Sequence, residues 1–404
     1  MAARARLDLL VVGADLAGFA AAAVAARRGA ATAIAATGDE APFEGDVAEP
    51  PNAVWRLLDL QQYDVRFEPT EPSLSLFEKG PLAIDEAITQ TVDGSPNQYW
   101  PQFLSAMRRL SPSRDVDSLL SANALLDDYF DDEDLKTHLV SLHVAPLGLA
   151  GDEQGSAQAL AAAGAAGTRR ASAAALGDAL QRAAAAAGAE IIPGRLQTLN
   201  RIDSKSLSAA CDNGLEIRAR AAMASSALIG EAFGARIDAG PTALLRRWGV
   251  QATIRMRLDR KPKAPGGRRN AVCHTALDRN AIIRARDAVI AGAIPDEPPL
   301  SFRLVGKEIV AQAPFCPSRI IENGEAREWT GQDRQVLGRA AASVIEKRLG
   351  GAVNAREIDI SFGPDVEAGL ARRNFEIPPL RAPAPGENAI GAAAALALEL
   401  IGDD

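Results

Sequence analysis

Histidine, cysteine and aromatic side chains are scarce in this chain. Three histidines (His138, His143, His274) and three cysteines (Cys211, Cys273, Cys316) serve 404 residues, and aromatics make up 4%. The cysteines are odd in number, far apart and without metal-ligand spacing, which argues against a disulfide framework and points to buried thiols in a reducing compartment. So few histidines also argue against a zinc centre. A basic surplus is missing: 44 Lys and Arg stand against 52 Asp and Glu, a net charge of −8, so nucleic acid is not an expected partner. Long apolar runs are missing as well. The segment Ala389 to Ile401 is too short to span a bilayer and is interrupted by Glu399. Near the N-terminus Arg4 and Arg6 precede a small-residue apolar stretch, but Asp8 and Asp15 break it, and a strand followed by a helix accounts for every residue. The expectation is therefore a cytoplasmic protein rather than a secreted one. The length suffices for a large core and two domains.

What is present is concentrated in the first thirty residues. Leu7 to Val12 read as a short apolar strand that runs into Gly13-Ala14-Asp15-Leu16-Ala17-Gly18 and then into an alanine-rich helix ending at Arg27-Arg28-Gly29. This is the strand, tight turn and helix of a dinucleotide-binding fold, altered at one position. In G-x-G-x-x-G the first glycine makes the turn, the second lets the backbone approach a pyrophosphate, and the third lets helix and strand pack. Gly13 and Gly18 fill the first and third places, and Asp15 stands at the second. A carboxylate there puts bulk and negative charge where phosphates rest on a helix N-terminus. The strand Thr32 to Ala35 follows, and the acidic residue that holds ribose hydroxyls after such a strand is replaced by Ala36. An ordinary βα turn that never bound a nucleotide is the alternative reading of the glycines.

Further along, Val54 to Leu60 has helical spacing and Tyr63 to Phe67 alternates like a strand. Leu74 to Phe77 and Leu82 to Ile84 suggest a hairpin around Lys79-Gly80-Pro81. A helical stretch from Pro101 to Val144 carries the acidic run Asp127-Asp128 and Asp131 to Asp134, which reads as charged helix starts rather than a cation site. Ala171 to Ala187 forms a helix closed by Gly188, and Leu196 to Ser225 alternates as a meander with a turn at Asn213-Gly214. Gln251 to Phe315 reads as a second sheet layer with loops between its strands. Asp333 to Leu349 and Ala389 to Ile401 read as helices.

This order of parts resembles the FAD-dependent amine oxidase and phytoene desaturase-like oxidoreductases. Trp55-Arg56-Leu57-Leu58-Asp59-Leu60 through Phe67 is similar to the segment after that superfamily's flavin-contacting loop. Leu126-Asp127-Asp128-Tyr129-Phe130, with Leu135-Lys136 and Gly155-Ser156-Ala157, resembles the desaturase-like insert. Ala174 to Leu180 through Gly188-Ala189-Glu190-Ile191 resembles the helix and strand that return to the FAD domain. The resemblance implies an α/β, Rossmann-like FAD/NAD(P)-binding domain with a substrate-type domain of sheet plus helices. It implies boundaries of 1–75, 165–240 and 350–404 for the first, and 76–164 and 241–349 for the second.

The departures from that pattern all fall on the cofactor. Besides Asp15 and Ala36, the Gly-Gly element after the second strand has no counterpart in Thr37-Gly38-Asp39-Glu40-Ala41-Pro42, and Pro383 to Glu387 runs into Asn388 without the glycine-rich approach to the flavin. Arg169 and Arg170 stand where another glycine-rich approach is expected and offer contacts to an anion, or a solvated helix start. The sequence therefore reads as a flavoenzyme fold without its FAD. The leading expectation is a non-catalytic subunit bound to an active, FAD-containing paralogue, with a homodimer as the fallback. The alternatives are a working FAD-dependent oxidoreductase with atypical cofactor binding, for which no catalytic residue is assigned, and a binding protein for another ligand.

Overall fold

The structure is a computed structural model and describes the chain except residues 1–5, 39–42, 44–45, 51, 70–72, 86–87, 90–98, 110–119, 166–168, 204–205, 226–247, 269–270, 352, 354, 363–388 and 403–404. The chain divides into two compact units, one of Met1–Thr70, Ala165–Ala243 and Val366–Asp404, the other of Glu71–Gly164 and Leu244–Asp365.

In the first unit the strands Leu7–Val12 and Thr32–Ala36 lie parallel. The start of Glu190–Asp203 extends this parallel sheet on the Thr32–Ala36 side, and the end of Glu216–Ala224 extends it on the other. Both outer strands are long enough to run on past the parallel region. There they pair antiparallel with Ser206–Cys211, so the five strands close on themselves. Alternation along the opening strand serves two layers at once. Leu10 and Val12 face the interior shared with Leu196, Leu199 and Ile217, whereas Leu9 and Val11 face the helices. Those helices are Leu16–Arg27, Ala173–Ala186 and Ala389–Ile401. Ten of the twelve residues of Leu16–Arg27 are buried, and its small alanine side chains suit it to close approach on all sides.

The second unit is built on an eight-stranded sheet. Its order is Ala355–Phe362, Val250–Leu258, Glu308–Cys316, Ser301–Val305, Cys273–His274, Leu74–Phe77, Gly80–Asp85 and Ile88–Thr89. Helix Gly331–Leu349 covers one face through Leu337, Ala341 and Ile345, packed with Ile254, Ile309 and Ala311. A separate core holds the helices Trp100–Arg109, Ala122–Tyr129, Glu133–Leu139, Ala157–Ala165 and Arg279–Ile290 around Phe103, Leu126, Leu139 and Phe315.

Three details differ from the sequence reading. Tyr63–Phe67 is not a strand: Leu60–Tyr63 is a 3₁₀ turn flanked by Asp59 and Asp64, both left-handed at φ 53° and 54°. A helix, Arg279–Ile290, interrupts the region read as sheet and loops, with Asp278 capping it through Ala281 N and Ile282, Ala285 and Val289 buried on one stripe. The strand Ala355–Phe362 pairs antiparallel with Val250–Leu258, so it extends the second unit's sheet rather than opening the last nucleotide-fold segment at residue 350.

Only part of the acidic run is helix-start charge: Asp127 and Asp128 fall instead in the last turn of Ala122–Tyr129, because that helix begins five residues before them. Asp132 caps Glu133–Leu139 through the amides of Asp134 and Leu135, and Asp127 pairs with Lys136 and Arg279. These cations hold the Asp127 and Glu133 carboxyls below the ordinary carboxylate range, against the opposing effect of burial. Among the described residues no group of His, Cys, Asp and Glu side chains is arranged to hold a metal ion. The three cysteines are buried and form no disulfide, and among the described residues no helix is long and apolar enough to cross a membrane.

Candidate functional site

The opening strand, turn and helix keep the backbone that a nucleotide site needs. Gly13 sits at φ 113°, a region open in practice to glycine alone. A Cβ added to Gly18 would lie 2.1 Å from the Gly13 carbonyl oxygen, so the third glycine is required for the helix to approach the strand. Between them, Asp15 occupies the helix N-terminus. Its backbone is extended, at φ −106° and ψ −177°, and it is the N-cap residue of Leu16–Arg27. Its Oδ1 accepts from the Gly18 amide at 2.8 Å, and its Oδ2 accepts from the Ser225 hydroxyl at 2.7 Å. Ser225 is 1% exposed and follows the strand Glu216–Ala224.

The chemistry of this arrangement follows from what a helix start offers. Its free amides and dipole attract an anion, and here the anion is a side chain of the same chain. One of the first-turn amides is already satisfied, and the negative charge already sits on the axis. A phosphate placed there would meet a carboxylate instead of a donor. The cap itself contributes stability: Asp15→Ala is expected to destabilise the protein by about 1 kcal/mol, whereas Asp15→Gly should cost only a few tenths from the cap, because glycine is tolerated there. Chemical denaturation of both variants checks this ranking.

At the end of the second strand, Ala36 is half-buried and pairs with Arg195 after an irregularity in register that follows Ala35 and Ile192. Arg195 is exposed, and its guanidinium lies against Gly38, where an added Cβ would come within 2.7 Å of Nε. The position that carries an acid in ribose-binding sites thus carries a methyl group, with a cation beside it. Sequence reading did not find Arg195, because only the pairing of Thr32–Ala36 with Glu190–Asp203 brings it there. Arg169 and Arg170 lie in the strand Arg169–Ser172, between Asp46–Ala48 and Glu68–Pro69. The Arg169 guanidinium donates to the Phe67 carbonyl, so it is engaged with the backbone of its own unit. Residues 39–42 and 383–387, where the other two departures fall, lie outside the described residues.

No protein-family profile matches the sequence, and no curated protein sequence matches it. Solved structures match over its whole length. Cyclohexylamine oxidase from Brevibacterium oxydans IH-35A aligns at 14% identity with a TM-score of 0.52, covering 98% of this chain and 99% of that one. A putrescine oxidase variant with redesigned cofactor binding aligns at 12% identity and a TM-score of 0.56, covering 99% of each chain. A putative protoporphyrinogen oxidase from Exiguobacterium sp. 255-15 aligns at 13% identity and a TM-score of 0.54, covering 100% of both. The chain therefore shares its fold with these oxidases. At these identities the likeness shows the fold alone.

Proposed function

We propose that this chain is a flavin-oxidoreductase-type protein that has given up FAD and works as a non-catalytic cytoplasmic subunit, stabilising or regulating an active flavoprotein paralogue. The observation that carries the reading is the Asp15 carboxylate on the helix N-terminus, bonded to the Gly18 amide and the Ser225 hydroxyl. The residues present do not fit the pyrophosphate of FAD, and Ala36 beside Arg195 does not fit its ribose. The retained geometry of Gly13 and Gly18 favours a second reading, an active FAD-dependent oxidoreductase that holds its cofactor in another pose.

A fold that loses a tightly bound ligand loses stabilisation that grows as RT ln(1 + [L]/Kd), which amounts to several kcal/mol at saturation. A permanent interface of about 2,000–5,000 Å² replaces such a contribution. Size-exclusion chromatography with light scattering, on the chain alone and co-expressed with its nearest flavin-containing paralogue, is expected to give a stable hetero-oligomer, or a homodimer when the paralogue is withheld. A thermally stable monomer that ignores the paralogue contradicts the proposal.

A further inference from the structure

All three histidines of the chain gather in the second unit, which the reading above leaves without a role. His138 is fully buried and His274 is 2% exposed. Their rings stand edge to face with centroids 5.8 Å apart, and His143 is close enough to act electrostatically on both. His138 is satisfied: Nδ1 bonds the Ser75 hydroxyl at 2.8 Å and Nε2 the Ser73 hydroxyl at 3.2 Å. His274 is not. Its Nδ1 bonds the Ser301 hydroxyl at 2.9 Å, while its buried Nε2 has no hydrogen-bond partner. The hydroxyl of Ser141 is also buried and without a partner. Ser141 lies three residues beyond His138, in the π-helical turn Val140–Val144, a geometry found frequently at functional sites.

His274 is also the buried part of a polar row that crosses six strands. In register, Ser75 stands beside His274, His274 beside Ser301, Ser301 beside Gln312, Gln312 beside Thr253 and Thr253 beside Ser361. Directly paired residues share a face of the sheet. Along the row, burial falls from Ser75 and His274 through half-buried Ser301, Gln312 and Thr253 to exposed Ser361. A buried ring nitrogen left without a partner is costly, and the row leads from it to solvent.

We propose that the buried part of this row is a binding site for a small carboxylate or similarly sized oxyanion, with His274 Nε2 as its principal contact and one proton taken up on binding. The proton comes from solvent: neutral His274, a proton and the anion give an imidazolium–anion pair. Among the described residues, the titratable groups acting on the two rings are imidazoles, His138 from the helix Glu133–Leu139, His143 from the π-helical turn and His274 from its strand. No carboxylate is among them. Arg348 reaches this region through its bond to the Thr275 carbonyl. Arg255 and Arg303, each two residues from a member of the row and on its face, add positive charge toward the open side, with Asp359 in register beside Arg255. Burial without a countercharge pushes the His274 imidazole down to about 3, and an anion supplies that countercharge. The near-complete burial of both rings limits the occupant to a few atoms. The proposal is independent of whether the first unit holds a flavin.

The test uses the full chain with sodium formate as the probe and sodium chloride at equal ionic strength as the control. Formate is expected to raise Tm at pH 6 beyond the chloride control. Its Kd is expected to weaken about tenfold per pH unit from 6 to 8, the slope of one linked proton. Calorimetry in two buffers of different ionisation enthalpy should register that proton. His274→Gln is expected to abolish the response, and the exposed variant Arg257→Gln to keep it. Equal stabilisation by chloride, a pH-independent Kd, or an unchanged response in His274→Gln would overturn the proposal. A zinc-dependent rise in Tm that requires His274, with no effect of formate, would also overturn it. If His274→Gln does not fold, the proton uptake of the wild-type chain decides alone.

Discussion

Changing Asp15 to glycine and Ala36 to glutamate together is expected to raise the affinity for FAD by about a hundredfold or more. Each charge-assisted hydrogen bond restored to the pyrophosphate or ribose contributes about 1.5–3 kcal/mol, and about 1.4 kcal/mol corresponds to one decade. Asp15→Gly frees the Gly18 amide and removes the charge on the helix axis. It leaves the Ser225 hydroxyl, formerly a donor to Asp15, available to a phosphate. Ala36→Glu returns the ribose acceptor, although Arg195 stands near enough to compete for it. Adding Arg195→Ala should therefore increase the gain further. Either single change is expected to do less than the pair. Fluorescence titration with FAD measures all four proteins, and no gain in any of them would mean that Asp15 and Ala36 do not limit FAD binding.

The second large effect is on stability as a function of pH. His138 and His274 are buried, and burial holds both imidazoles below their ordinary range, His274 at about 3, with the neighbouring histidines pushing the same way. The unfolded chain takes up protons near pH 6.5, and the folded chain does not. Stability is therefore full above that value and declines as pH falls through it toward 3. Between pH 7 and pH 5 His274 alone should remove about 2 kcal/mol, and His138 acts in the same direction. Urea denaturation in chloride buffers at pH 7, 6 and 5 is the check. His274→Gln should flatten part of the decline, and an equal slope in that variant would show that other groups cause it.

The local parts of this molecule were legible and the long-range parts were not. Gly13, Asp15 and Gly18 lie within six residues, so the turn, its helix and the misplaced carboxylate could be read directly. That the carboxylate is held in place could not, because Ser225 lies 210 residues away. Arg195 was hidden in the same way, since only strand pairing brings it to Ala36. The histidines come from a helix, a π-helical turn and a two-residue strand, which no spacing rule connects. The helix Arg279–Ile290 is a different failure. Its cap at Asp278 and its stripe of Ile282, Ala285 and Val289 were present, but the surrounding strand-like runs and loops outweighed them. The strand Ala355–Phe362 alternates weakly, because most of its residues are exposed at the edge of the sheet.

Whether Asp15 takes the place of the cofactor's phosphates, as proposed above, is read most directly from the flavin content of the purified chain. The protein is expressed alone in a host supplied with riboflavin, purified without reductant, and denatured in acid to release any non-covalent flavin. Flavin far below one equivalent per chain is expected, with no saturable uptake when FAD is added back. One equivalent of FAD released from the wild-type chain would contradict it.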